Sequence, residues 1–153
     1  MEELRLPKRQ VEIEVACADN TVRRVKVHLS DFSAHHSGRE TVSDLLNAGS
    51  AFFPVADSSS GAILLLARGN VIHASVSSQE ERLLPVEIPS TEHRLKVHLI
   101  DGRTLEGTLT HARPPERARA VDALNESGTF LALTSSDKTL LINKRFIASV
   151  EDT

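Results

Sequence analysis

Apolar and polar residues alternate along most of the chain, and the period changes in the same places twice. Val11, Ile13, Val15 and Cys17 stand at every second position, as do Val25, Val27 and Leu29. That is the period of a half-buried strand. Asp19-Asn20 between the two runs is a tight-turn signal. Thr41 to Asn47 reads as a short helix with Gly49 just past its end. Ala51 to Val55, Ile63 to Leu66 and Val71 to Val76 follow as strands, parted by Asp57-Ser58-Ser59-Ser60-Gly61 and by Gly69-Asn70. The unbroken apolar run Ile63-Leu64-Leu65-Leu66 predicts a strand buried on both faces or a barrel wall. After a junction the order repeats. Leu95 to Leu99 and Leu105 to Leu109 flank the hairpin signal Asp101-Gly102, and Arg117 to Asn125 predicts a helix ended by Gly128. Phe130 to Leu133, Leu140 to Ile142 and Ile147 to Val150 are the closing strands.

The repeat is visible in residue identities as well as in period. Asp44, Leu46, Asn47 and Phe52 stand in the same relative positions as Asp122, Leu124, Asn125 and Phe130. Val25-Lys26-Val27-His28-Leu29 also looks like Leu95-Lys96-Val97-His98-Leu99. That second alignment would leave Val11 to Cys17 without a counterpart. Matching Asp19-Asn20 to Asp101-Gly102 gives all five strands a partner, with Leu65-Leu66 opposite Leu140-Leu141 and Ile72 opposite Ile147. The expected organisation is therefore a first β-repeat over 11–77, a linker over 78–92 and a second β-repeat over 93–151. Pro85 and Pro89 make that linker semi-rigid. Leu83-Leu84-Pro85-Val86 is apolar enough to pack between the copies or on a partner.

The order in each half resembles that of SH3-like and Sm-like barrels. Arg68-Gly69-Asn70-Val71-Ile72 is similar to the second Sm motif, and Leu99-Ile100-Asp101-Gly102-Arg103 with Gly107 and Leu109 is similar to the first. Neither half carries both motifs, and the helix falls between strands two and three rather than before strand one. Most of each half also resembles small bacterial domains of unknown function with an Arg-apolar-Ser-Asp-x-Leu-Asn motif. Gly107, Arg119, Asp122, Leu124, Asn125 and Phe130 carry this resemblance in the second half, and Ser43, Asp44, Leu46, Asn47 and Phe52 in the first. Thr41 and Val121 depart from it. The resemblances imply an all-β fold of two tandem five-stranded barrels, each with a short helix, and imply no activity.

Composition narrows the chemistry. The chain has 153 residues, a net charge of −3 and 25% charged residues, which suits a folded globular protein rather than one built to neutralise phosphates. A single Cys excludes an internal disulfide, and Cys17 falls in an apolar row. No apolar run is long enough to span a membrane, Met1 to Arg5 does not read as a signal peptide, and the cytoplasm is the expected location. Seven His are present, but no His-x-x-x-His or Cys-x-x-Cys spacing groups them, so no metal or cofactor is expected.

Asp44 with Asn47, and Asp122 with Asn125, are expected to start and end a helical turn, with Asn in the left-handed conformation. Arg113-Pro114-Pro115-Glu116-Arg117 is similar to the Arg-x-x-x-Arg of PilZ domains. Asn125-Glu126-Ser127-Gly128 follows too closely to complete that pattern, and a solvated loop is the simpler reading. Arg113, Arg117, Arg119, Lys144 and Arg145 form a candidate basic patch for RNA, but no Trp or Tyr is available for base stacking. No phosphate loop or nucleophile elbow occurs, so no enzyme is expected. The resulting expectation is a non-enzymatic adaptor or regulatory module that binds a protein or itself through an open strand edge. An Sm-like RNA-binding protein is the alternative, and a small-ligand or nucleotide-sensing domain is the second alternative.

Overall fold

Each alternating segment of the sequence forms a strand in the computed structural model, which describes residues 8–31, 38–81, 90–126 and 128–153. The first half contributes β1 (Lys8–Cys17), β2 (Val22–Ser30), β3 (Phe52–Asp57), β4 (Ile63–Ala67) and β5 (Val71–Ser77). The second contributes β6 (Thr91–Leu99), β7 (Thr104–His111), β8 (Phe130–Ser135), β9 (Lys138–Asn143) and β10 (Ile147–Asp152). Helices α1 (Val42–Leu46) and α3 (Ala120–Leu124) lie between the second and third strands of their halves, and α2 (Ser78–Glu81) opens the junction. Residues 82–89 of the junction, with Leu83 to Val86, Ile88 and both prolines, lie outside the described residues, as do residues 1–7 and the His35-His36 pair, while Thr91 and Glu92, expected in the linker, already belong to β6.

The fold is all-β with short helices, and all ten strands belong to one antiparallel sheet of order β10-β6-β7-β8-β9-β5-β1-β2-β3-β4. The five strands of each half run in the same order, and β5 of the first half pairs with β9 of the second. Even the irregularities repeat. Ile72 is an extra residue where β5 meets β1, and Ala148 is the extra residue where β10 meets β6. Strand pairing shifts the expected repeat register by one residue. Phe52 pairs with Ala67 and Phe130 with Asn143, so Leu66 corresponds to Ile142, Leu65 to Leu141 and Val71 to Ile147. Register set by main-chain pairing overrides likeness of side chains.

Two cores flank the joint and exchange residues across it. Phe130 and Leu141 of the second half belong to the first core, with Ile13, Val27, Leu46 and Val55. Ile72 of the first half belongs to the second, with Leu95, Leu133 and Ile142. Asn143 Nδ2 donates to the Val71 carbonyl at 3.0 Å, and the Ser78 N–H donates to the Asp137 carbonyl at 2.8 Å. In the second half β7 and β8 run unusually close: a Cβ on Gly107 would lie 2.8 Å from the Leu133 Cβ.

The helices are shorter than their sequence signals. Pro115–Arg117 forms a separate 3-10 turn, and α3 starts only where the Asp122 carboxylate accepts the Arg119 N–H at 3.2 Å. At α1, Thr41 Oγ1 accepts the Asp44 N–H at 3.2 Å and the Asp44 carboxylate accepts the Thr41 N–H at 2.9 Å. The Glu81 carboxylate takes the next two donors, Val42 N–H at 2.6 Å and Ser43 N–H at 3.1 Å. Burial raises the Glu81 pKa although both bonds favour its charged form. The start of the junction is thus fixed to the first half.

Candidate functional site

The hairpin β3–β4 is the outer edge of the first half, and no described strand lies on the far side of β4. Its turn is held by the Asp57 carboxylate, which accepts Ser59 Oγ–H at 2.7 Å, Ser60 N–H at 2.9 Å and Ser60 Oγ–H at 2.8 Å. Those bonds hold the Asp57 pKa down to about 2. Gly61 takes φ 74 to complete the reversal. Beyond the turn the side chains alternate. Phe53 and Val55 point into the core, while Phe52 and Pro54 point out. On β4, Leu64 and Leu66 pack on the core, while Ile63 and Leu65 are each 68% exposed. Of the two expectations for this apolar run, burial on both faces does not hold, because no described element covers its outer face. Phe52, Pro54, Ile63 and Leu65 therefore make an outward apolar row beside unpaired main-chain groups.

At Phe52 and Leu65 the corresponding residues of the second half show the same positions covered. Phe52 is 60% exposed, and its counterpart Phe130 only 6%. Leu65 is open, and its counterpart Leu141 is fully buried against β5. Asn47 completes the cover. Its Oδ1 accepts the main-chain N–H groups of Thr129 at 2.8 Å and Phe130 at 2.9 Å, and its Nδ2 donates back to the Ser43 carbonyl at 2.9 Å. Asn47 and Asn125 sit at φ −88 and −86, not in the left-handed region expected for them, and Gly49 also keeps a non-positive φ. A right-handed turn aims the Asn47 amide at the neighbouring half. Asn125 is exposed and makes no side-chain hydrogen bond among the described residues; Leu46 is buried, and its counterpart Leu124 is partly open.

Of the candidate basic residues, Arg113, Arg117 and Lys144 gather around Glu126. Arg113 pairs with Glu126 and donates to the Arg117 carbonyl at 3.0 Å. Arg119 pairs with Asp122 at 3.1 Å, which holds the Asp122 carboxyl below its usual range. Lys144 Nζ donates to the Glu126 carbonyl at 2.8 Å. Arg117 and Arg145 are exposed. An open cleft of about 530 Å³ lies between His111, Arg113, Arg117 and Glu126. Arg68, in the segment that resembles the second Sm motif, is sequestered. Its guanidinium donates to Ser50 Oγ at 3.0 Å and the Leu45 carbonyl at 2.9 Å and lies 5.0 Å from the Phe53 ring centre.

His93 and His111, far apart in sequence, stack with ring centres 5.1 Å apart. His93 Nε2 lies 3.0 Å from both His111 Nε2 and the Ala118 carbonyl oxygen. The only sequence trace of this pair is its diagonal placement on the β6–β7 hairpin. Among the described residues no group of three or more His, Cys, Asp or Glu side chains is placed to hold a metal ion. Cys17 is buried, and burial raises its thiol pKa. Among the described residues no helix is long and apolar enough to cross a membrane. Compared with known proteins, the chain matches no family model, no curated protein and no solved structure.

Proposed function

We propose that this chain is a non-enzymatic protein-interaction module, an adaptor or regulatory subunit, formed from two small SH3-like or Sm-like five-stranded units. The shared strand order, the shared bulge and the helix between the second and third strands support the two-unit reading. The observation that carries the function is the outward row Phe52, Ile63 and Leu65 beside the open edge of β4. Edge strands in soluble proteins are usually blunted by charge, proline or a bulge, and an unprotected one pairs readily with another chain. Ile63-Leu64-Leu65-Leu66-Ala67 carries none of the three. A partner strand laid on this edge gains main-chain hydrogen bonds from β4 and apolar contact from the row.

The test is capture of polypeptides by the immobilised chain, compared with a Phe52→Lys/Leu65→Lys variant. Polypeptides retained by the parent and lost from the variant are expected. Equal retention by both would overturn the edge as the docking element. Because the chain has no Trp or Tyr, bound nucleic acid is readily seen in its ultraviolet spectrum. A nucleic-acid band that survives high salt would favour the RNA reading instead.

A further inference from the structure

We infer that the partner strand for the β4 edge is β10 of a second copy of this chain, joined as β5 joins β9 within one molecule. This deepens the reading above and rests on it. The two outer strands of the sheet are β4 and β10. In the repeat, β4 is the counterpart of β9 and β10 the counterpart of β5. The two edges that no described strand covers are therefore counterparts of the two strands that already pair at the centre of the sheet.

That correspondence fixes a register. Within the chain, His73 pairs with Ile142, Ala74 with Leu141, Ser75 with Leu140 and Val76 with Thr139. Carried to the outer edges, Ser149 stands opposite Leu66, Val150 opposite Leu65, Glu151 opposite Leu64 and Asp152 opposite Ile63 of the next molecule. The bulge at Ala148 does not block this pairing, because β5 carries the same bulge and still pairs with β9. Asn125, exposed and without a side-chain bond among the described residues, occupies the place of Asn47. Its Oδ1 would accept the main-chain N–H groups of Ala51 and Phe52, the counterparts of Thr129 and Phe130. Val150 and Leu124, both only partly buried at present, would cover Leu65 and Phe52 as Ala74 and Leu46 attend Leu141 and Phe130. Such a contact is head-to-tail, so it propagates into a ring or a filament rather than stopping at a symmetric pair.

Sedimentation velocity over a concentration series tests this with two variants, Phe52→Lys/Leu65→Lys on one edge and Asn125→Lys/Ser149→Lys on the other. All four positions are exposed, and circular dichroism checks that both variants remain folded. The parent chain is expected to sediment faster as concentration rises and each variant alone to stay monomeric. An equimolar mixture is expected to give a species of two chains that grows no further, since one good edge of each kind remains. Asp152→Val, which supplies the Val that β5 carries at this position, should move association to lower concentration. A parent chain that stays monomeric throughout would overturn the inference. So would a parent that stops at a dimer whose loss in the variants is not restored by mixing, because that pattern means like edges pair. If the parent stays monomeric while edge-dependent capture of other polypeptides persists, self-assembly falls and the interaction module stands. If capture and self-association are both indifferent to the β4 variant, the module reading falls with it.

Discussion

Phe52 and Phe130 open corresponding strands in the two halves of the sheet, and only Phe130 is covered. The two copies have the same strand order and the same helix position, so the difference does not arise within the unit. It arises from what stands beside it: β5 and Asn47 lie against the β8–β9 edge, and no described element lies against the β3–β4 edge. A repeat buries its outer face on the next repeat, and a terminal copy needs either a polar cap or another copy. Here the first half keeps an apolar face that no described element covers.

The sharpest way to break this comparison is to remove each Phe in turn. Phe130→Ala should cost about 3–5 kcal/mol, the usual loss for a buried aromatic side chain. Phe52→Ala in the dilute chain should cost less than about 0.5 kcal/mol, as for an exposed site. Denaturant unfolding of both variants measures the contrast, and equal losses would mean the two rows are not in different environments.

The paired asparagines come next. Asn47→Ala leaves the partly buried Phe130 N–H without its acceptor, frees the exposed Thr129 N–H to water and should cost about 1–3 kcal/mol. Asn125→Ala breaks no side-chain bond seen among the described residues and should leave dilute stability within about 0.5 kcal/mol. A large loss at Asn125 would show that it serves its own helix rather than a neighbour.

A smaller effect sharpens the account of the joint through pH. His73 lies on β5, its Nδ1 is buried without a partner, and burial lowers its pKa below the ordinary 6.5. Arg103 lowers it further, while Glu14 and Asp101 act the other way. Below that ordinary value the unfolded chain takes up a proton that the folded chain refuses, so stability should fall as pH drops from there towards the depressed folded value. His73→Gln should flatten that slope. A slope unchanged by the substitution would place the titration elsewhere.

The smallest effect belongs to the open hairpin. The Asp57 pKa is depressed from 3.8 to about 2, so its contribution is present above the higher value and lost as pH falls towards the lower. Asp57→Asn should remove that acid-sensitive share without touching the joint. Acid unfolding curves identical to those of the parent would show that the turn bonds add nothing.

Much of the fold was legible because it is local. Alternation located the strands, Asp101-Gly102 marked a hairpin whose Gly102 takes φ 91, and the Asp-x-Leu-Asn motif located α1 and α3. The joint was not legible. Periodicity states that β5 and β9 are strands, but nothing local states that they pair, because the pairing links residues far apart in the chain. The outward row was hidden for a related reason: Ile63-Leu64-Leu65-Leu66 is apolar at every position, so its pattern cannot separate a covered face from an open one. Asn47 does end α1, as its sequence neighbours indicate, but nothing local shows that its side-chain Oδ1 accepts from Thr129 and Phe130 of the other half. The candidate basic residues were legible as charges but not as pairs, since Glu126 and Asp122 engage Arg113 and Arg119 only once the loop is folded.

Strand-resolved amide hydrogen exchange, first on a dilute and then on a concentrated sample, tests most directly whether β4 is the open counterpart of β9. The account predicts slow exchange along β9 in both samples and fast exchange at the outward amides of β4 in the dilute one. On concentration, β4 and β10 should gain protection together while the central strands stay unchanged. Outward β4 amides as protected as those of β9 in the dilute sample, or no gain at β4 and β10 on concentration, would contradict it.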